Sequence, residues 1–373
     1  MLQKFSVSNF RNFETTLTLD LHSGRYDFNE ACSKNKIVNT AIIYGYNASG
    51  KSNLALALFD IVATLTDNFV PFEMYPSYQH VKHQNEPAQF SYDFSFSSST
   101  LSYRYSKSAL DTVLHEEVLI DDVSVLTFDR EKGFLELALP GTESLEKQLT
   151  NPKLSAVKYV KANAQFAAAD PLGKVFLEFI DFVDRMLLFW CLQNRKYMGY
   201  QTGITKIMED LITHDHLDGY NTFLKRLDLD KVVVAKKDPE GKMVPYYDFG
   251  DGQYLPFLEN QGNGENALLL FYYWIEKLKE KRVPSLICID EFDAFYHIGV
   301  AKSLVQEFVM AADCQVILTS HNPSLISNDI LRPDCYFLLQ NGIVDSFKNL
   351  TEKDIREAHN IERMFRAGAF THE

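Results

Sequence analysis

The spacing of apolar residues lays out the chain as a series of distinct stretches. Near the start, "KFSV" and "TLTLDL" alternate apolar and polar positions, which predicts two short strands. "IVNTAIIY" is almost continuously apolar and predicts a strand buried on both faces. A glycine-rich turn follows it, and then an apolar-periodic segment to Leu65 that predicts a helix. Residues 66–100 are rich in Pro, Tyr, Gln and Ser and read as loop, while residues 89–140 are β-rich. There "QFSYDFSFSS", "LSYRYSKS", "VLHEEVLID", "VSVLTFDR" and "GFLELALPG" are successive strand candidates separated by Ser, Asp or Gly. Their aromatic alternation is an ordinary strand signature, so it favours a sheet core over a stacking platform for bases.

Residues 143–230 turn helical, with "SAVKYVKANAQFAAA" and "VFLEFIDFVDRMLLFWCL" as the main segments. The second runs from Val175 to Leu192 and reads as one amphipathic, core-packed helix, because Glu178, Asp181, Asp184 and Arg185 interrupt it at helical spacing. Those charges also exclude it as a membrane span. From Gly262 the pattern alternates: helix 265–281, strand 285–290, helix 298–311, strand 314–319, and a hairpin of "CYFLLQ" and "IVDSF" around Asn341-Gly342. The reading is an α/β fold whose nucleotide-type domain is split. Residues 1–65 and 259–373 are its two parts, and residues 66–258 form an inserted β-then-helical lobe.

Composition narrows the class. The chain has 373 residues, 46% of them hydrophobic and 23% charged, as in a globular protein with a sizeable core. The net charge of −13 argues against a surface broadly suited to nucleic acid, although it leaves room for a local basic groove. The five cysteines (Cys32, Cys191, Cys288, Cys314 and Cys335) form no CxxC pair, and two sit in apolar runs. That pattern predicts reduced thiols and no structural zinc site, and with no apolar segment near the N-terminus it predicts a cytoplasmic, membrane-free chain.

The chemistry is concentrated at three stations. "GYNASGKS", Gly45 to Ser52, fits G-x-x-x-x-G-K-[ST], with an apolar strand before it and a helix after it. Glycines let backbone N–H groups curl toward phosphate oxygens, and the helix N-terminus adds partial positive charge. Gly45, Asn47, Ala48, Ser49, Gly50, Lys51, Ser52 and Asn53 are thus the candidate ATP-binding residues. Lys51 would reach the β- and γ-phosphates, and Ser52 would be a Mg²⁺ ligand. "SLICIDE", Ser285 to Glu291, is an apolar strand ending in two acids. Asp290 would hold Mg²⁺, and Glu291 would orient or deprotonate the attacking water. "QVILTSHNPSL" ends a strand in Ser320-His321, and His321 there can hydrogen-bond a γ-phosphate.

In this order the three stations resemble the ABC-type ATPases of the SMC and DNA-repair lineage. The likeness is closer to stand-alone bacterial AAA-type ATPases of abortive infection and phage defence. That group has a D-E-x-x-x-x-L-H segment, matched by "DEFDAFYH" with His297, and an R-x-D after its histidine strand, matched by Arg332 and Asp334. The resemblance implies ATP and Mg²⁺ as ligands, a homodimer or higher homo-oligomer closed around ATP, and a separate effector protein. It also implies a phosphate-contacting arginine in the first-strand element, Arg11 of "NFRNF", which the residues alone read equally as an exposed Arg beside Phe10 and Phe13. The signature turn that grips the partner's nucleotide would be "ENQGNGENALLLF", with Gly262, Asn263, Gly264 and Glu265; it lacks the usual serine. Gln79, Gln84 and Gln89 are all candidates for a glutamine loop. The lineage leaves two other roles open, a DNA-repair ATPase and a slow nucleotide-sensing scaffold. "NIERMFRAGAF", Asn360 to Phe370, is basic and apolar and reads as a partner-docking segment or, preferably, as a closing element that packs on the domain.

Overall fold

The structure is a computed structural model. It describes residues 1–371 apart from 69, 71, 76, 97–98, 152, 192–195, 201–206, 239, 280–282 and 311–312. In chain order the strands begin with β1 (Leu2–Ser8), β2 (Leu17–Asp20), β3 (Ser33–Lys34), β4 (Ile37–Val38) and β5 (Thr40–Tyr44). Helices α1 (Lys51–Leu58) and α2 (Asp60–Leu65) follow. Next come β6 (Ala88–Ser95), β7 (Thr100–Ala109), β8 (Thr112–Ile120), β9 (Val123–Asp129) and β10 (Phe134–Leu137). Then come α3 (Ala156–Asn163), α4 (Pro171–Asp184), β11 (Met186–Cys191), β12 (Lys196–Gly199), α5 (Ile207–Thr213) and α6 (Leu217–Arg226). The chain continues with β13 (Val232–Lys237), β14 (Met243–Asp248), β15 (Tyr254–Pro256), α7 (Asn263–Lys277), β16 (Leu286–Ile289), α8 (Ile298–Met310) and β17 (Gln315–Ser320). It closes with β18 (Tyr336–Gln340), β19 (Ile343–Ser346) and α9 (Ile361–Arg366).

Two seven-stranded sheets organise these elements. One is antiparallel, in the order β10-β9-β8-β7-β6-β1-β2. The other runs β12-β11-β16-β17-β5-β18-β19; its five inner strands are parallel and its two edge strands antiparallel. Parallel strands buried on both faces should be apolar throughout, and β16 ("LICI") and β17 ("QVILTS") are buried at every position. Gln315, the first residue of β17, ties the sheets together. Its amide donates to Leu2 O at 2.9 Å and Val38 O at 3.0 Å, and its Oε1 accepts from Leu2 N at 3.0 Å.

One expectation needs correction. "VFLEFIDFVDRMLLFWCL" is not one helix: α4 ends at Asp184 and Met186–Cys191 is a strand. A run so apolar satisfies either period, and the parallel pairing of Met186–Phe189 with Leu286–Ile289 decides in favour of strand. Leu192, its last residue, lies outside the described residues. The 66–258 region is shared between the two sheets. Its strands β6–β10 extend β1 and β2, and β11 and β12 enter the parallel sheet. The C-terminal hairpin forms around Asn341 (φ 53°) and Gly342 (φ 76°), as its sequence required. Phe365 within the terminal helix and Phe370 after it stack on Phe347 at 5.5 and 4.3 Å, so this segment closes the core beside β5. Among the described residues, no helix is long and apolar enough to cross a membrane.

The second helix after the glycine-rich loop, α2, is fastened to the antiparallel sheet by a buried ion pair. Asp60, the first residue of α2, and Lys107 on β7 have fully buried side chains 2.9 Å apart. Asp60 also accepts from the Tyr78 hydroxyl at 2.7 Å and the Tyr105 hydroxyl at 2.9 Å, and Lys107 donates to Thr64 Oγ1 at 3.1 Å. Burial lowers the Lys107 pKa, and the Asp60 carboxylate opposes that shift. Alternation along β7 aims Leu101, Tyr103, Tyr105 and Lys107 at the same inner face, where all four are buried. Removing the cation would leave a buried carboxylate uncompensated. Lys107→Met should cost about 3–5 kcal/mol in urea unfolding, whereas a distant exposed lysine such as Lys36→Met should cost under ~0.5 kcal/mol.

Candidate functional site

The three chemical stations meet at the carboxyl ends of neighbouring parallel strands. β17 lies between β5 and β16, with Ser320 opposite Tyr44 and Leu318 opposite Ile289. Gly45, Asp290 and His321 each follow the last residue of one of these strands. Strand carboxyl ends are where ligands bind in open α/β sheets.

The loop from Gly45 to Ser52 is built for a close approach. A Cβ on Gly45 would lie 2.8 Å from Leu339 O. Gly50, at φ 107°, caps the N-terminus of α1 in a conformation that L side chains rarely adopt, and a Cβ there would strike Asn12 Nδ2 at 2.5 Å. Ala48 also has positive φ (65°). Asn47, Ala48 and Ser52 are exposed, and Ser49 Oγ is buried with no hydrogen-bond partner among the described residues. Lys51 is buried, and its ammonium donates to Gly45 O at 2.8 Å and Tyr46 O at 3.1 Å, curling back over its own loop. Burial lowers its pKa, while Asp290, Glu291 and Asp293 raise it. Lys51 therefore lies within the field of the two-acid strand.

Asp290 and Glu291 are held by a residue that sequence reading missed. The Thr319 hydroxyl donates to Asp290 Oδ1 at 2.6 Å and accepts from Glu291 N at 2.8 Å. Glu291 has a left-handed backbone (φ 49°) and an exposed side chain. A β-strand that turns sharply at its last acid swings that carboxylate out of the sheet, and such strain persists only where neighbours hold it. Asp293 also escaped notice. Burial raises its pKa, Ser320 Oγ donates to its Oδ2 at 3.0 Å, and its Oδ1 is buried without a partner among the described residues. Its position inside "DEFDAFYH" was the available signal. His321 is exposed beside this carboxylate, which it helps to stabilise in the charged form. His297 is exposed, and its Nδ1 accepts from Gly299 N at 3.2 Å at the start of α8.

Other candidates are placed less directly. The turn carrying Arg11 abuts the loop, since Asn53 Nδ2 donates to Asn12 Oδ1 at 2.5 Å and Phe13 lies against Gly50. The Arg11 guanidinium itself donates to Met74 O at 2.8 Å. At the start of α7, Gly262 and Asn263 are exposed. Glu265 turns back on the helix end: its Oε2 accepts from Gly262 N at 2.9 Å, and its Oε1 from the Tyr247 hydroxyl at 2.8 Å and from Lys231 at 2.5 Å. A Cβ on Gly264 would meet Phe295 O at 2.6 Å, so the first turn of α7 packs against the segment that follows the two acids. Arg332 and Asp334 form a buried pair at 2.9 Å, with Asp334 also accepting from Gly24 N at 2.6 Å. Their role in this structure is to fix β18 to the N-terminal region.

These features define a P-loop nucleotide-binding fold, with the phosphate loop, an acidic strand end and a histidine strand end on adjacent strands. The donor set suits ATP with Mg²⁺: the orphaned Ser49 hydroxyl and the folded-back Lys51 lie inside the loop, and Ser52 and Asp290 offer the hard oxygens that Mg²⁺ prefers. Residues 195–327 match the family described as "AAA domain, putative AbiEii toxin, Type IV TA system". The match includes the α7 turn, the two acids and His321, and leaves out the phosphate loop. No curated protein matches the sequence. Solved structures that overlap it include an Smc head bound to the C-terminal winged-helix domain of ScpA, at 12% identity, TM-score 0.46, covering 92% of this chain and 96% of that one. A Pyrococcus furiosus Smc head with an extended coiled coil, bound to the C-terminal domain of ScpA, overlaps at 10% identity and TM-score 0.43, covering 92% and 95%. The SMC head domain from Thermotoga maritima overlaps at 13% identity and TM-score 0.43, covering 92% and 97%.

Thr319 gives the first test of this geometry. Thr319→Val removes the hydroxyl shared by Asp290 and the Glu291 amide while keeping the side chain's shape. Urea unfolding should show a loss of about 1–2 kcal/mol, the cost of leaving such groups unsatisfied. Thr319→Ser should restore most of it.

Proposed function

We propose that this chain is an ATPase that closes as a homodimer around ATP and controls a partner protein in bacterial anti-phage defence. The observation that carries the enzymatic part is the convergence of Lys51, Asp290, Glu291 and His321 at the ends of adjacent parallel strands. Backbone N–H groups of residues 47–52 and the α1 N-terminus would hold the phosphates, with Lys51 swinging from its own loop carbonyls onto the β- and γ-oxygens. Ser52 and Asp290 would hold Mg²⁺, which neutralises charge on the phosphates. Glu291, projecting from its strained turn, would orient and deprotonate the attacking water, and His321 would donate to the γ-phosphate.

The dimer rests on the 262–265 turn. It begins a fifteen-residue helix, exposes Gly262 and Asn263, and has no phosphate loop of its own. With the Gly262 amide and the Glu265 carboxylate engaged with each other, the donors left to reach a partner's nucleotide are the Asn263 side chain and the first-turn backbone N–H groups of Asn263, Gly264 and Glu265. The defence role is supported by the family description, which names a putative AbiEii toxin and a type IV TA system. The acidic net charge favours this over DNA repair.

Glu291→Gln keeps the shape and removes the base. ATP turnover should fall by roughly 10²–10⁴-fold, and native mass spectrometry in ATP-Mg should show a dimer retaining two ATP. Co-expression with the neighbouring genes should add a second polypeptide. A nucleotide-free monomer in millimolar ATP-Mg would sink the dimer reading. Wild-type turnover no faster than that of Glu291→Gln would make the chain a nucleotide sensor.

A further inference from the structure

Next to the phosphate loop, and separate from it, lies a cluster that none of the nucleotide chemistry uses. Glu14, His80 and His83 each offer a ligand atom, and these atoms lie within 4.8 Å of one another. We propose that they form a site for a divalent transition metal, with Zn²⁺ the best match.

The backbone beneath the site is fixed in advance. Asn9, buried and in the left-handed region (φ 51°), donates from Nδ2 to His83 O at 3.0 Å and Glu86 O at 2.8 Å, and its Oδ1 accepts from His80 N at 3.2 Å. Successive turns, His83 N to His80 O at 3.0 Å and Glu86 N to His83 O at 3.1 Å, bring residues 80, 83 and 86 onto one side of the loop. Glu14 approaches from the N-terminal turn, so the ligands come from segments that are far apart in sequence. A site held on such a frame loses little conformational entropy when it binds.

The side-chain geometry matches the spacing a metal needs. His83 Nε2 is 3.4 Å from Glu14 Oε1. Two ligands held about 2.0–2.2 Å from a tetrahedral zinc lie roughly 3.3–3.6 Å apart, the same separation. On the far side of the ring, His83 Nδ1 is 3.2 Å from Glu86 Oε1. This is the carboxylate–histidine–metal arrangement, in which the outer carboxylate orients the ring and strengthens the ligand. Lys82 binds the other oxygen of Glu14, Oε2, at 2.7 Å, leaving Oε1 for the metal. His80 Nδ1 receives a long hydrogen bond from Lys82 N at 3.3 Å, a contact that ligation at that nitrogen would replace. Two imidazoles and one carboxylate with a fourth position open to water are a zinc-type donor set and a poor one for Mg²⁺. The metal would clip the N-terminal turn, which touches Gly50 and Asn53, to the loop after α2.

The test uses the full chain, freed of any histidine tag, stripped with chelator and titrated calorimetrically with Zn²⁺ alone. One zinc per chain is expected, with micromolar or tighter affinity. Glu14→Gln and His83→Ala should each weaken it by roughly tenfold or more, and the metal-bound chain should melt higher than the stripped one. Co²⁺ in the wild type should give the strong visible bands of a tetrahedral site, and these should disappear in His80→Ala. Glu14 and His83 are partly or fully exposed, so the variants should melt like the stripped wild type. Failure of the wild type to bind, or one-zinc stoichiometry unchanged in the His80→Ala/His83→Ala double variant, would overturn the proposal. Lys51→Ala should bind zinc normally, which separates this site from the ATPase reading.

Discussion

The structure hangs on the buried contact between Asp60 and Lys107. The phosphate-loop helix is short, and isolated helices of its length are not stable in water. Its position is set by α2. Asp60 opens that second helix in the sheet-to-sheet interior, where two tyrosine hydroxyls and a lysine satisfy it. Tyr92 adds to this by donating to Ala57 O at 3.0 Å at the end of α1. A buried pair gains little over apolar groups of the same volume, but removing one partner alone leaves a costly uncompensated charge. The antiparallel sheet thus acts as a rigid back wall for the phosphate loop.

The second constraint is the crossing of distant segments at the strand ends. β5 and β17 are neighbours in space although most of the chain separates them, and Gln315 fastens the start of β17 to β1 and β4. With the strand starts locked, the strand ends can carry strain. Glu291 in the left-handed region, Asp293 buried with a raised pKa and Lys51 with a lowered one are each unfavourable alone. Each is tolerated because the others, and Thr319, lie within reach. That combination, costly groups gathered at one edge of a well-packed sheet, is the physical mark of a site kept for chemistry.

How far the sequence could be read depends on the range of each interaction. The phosphate loop, "IDE" and "TSH" were legible because their chemistry needs contiguous residues at a strand end. The Asn341-Gly342 hairpin was legible because its turn needs positive φ at both positions. β11 was not, because "MLLFW" obeys helical and strand periods alike until its pairing with β16 is known. The attachment of β6 to β1 was hidden for the same reason, since no local pattern says which strand an edge will take. The Asp60–Lys107 pair did leave a trace. An aspartate inside "ALFDIVATL" and a lysine ending the inward face of "LSYRYSK" both break their own pattern, but sequence alone could not say that they meet. Thr319 gave no such sign, since a threonine in a buried strand is ordinary.

The N-terminal turn from Asn9 to Glu14 joins these threads. Asn9 fixes the histidine loop, Asn12 holds Asn53, Phe13 lies against Gly50, and Glu14 faces His83. Arg11 has positive φ, as does Asn9, so this is a tight and highly specified turn rather than a passive link. Its side chains reach both the phosphate loop and the histidine cluster. Any ligand that tightens one side therefore acts on the backbone that shapes the other. The sequence offers "NFRNF" only as a first-strand element with an arginine that is phosphate-contacting or simply exposed; the structure makes it a turn whose neighbours are the phosphate loop on one side and the histidine cluster on the other.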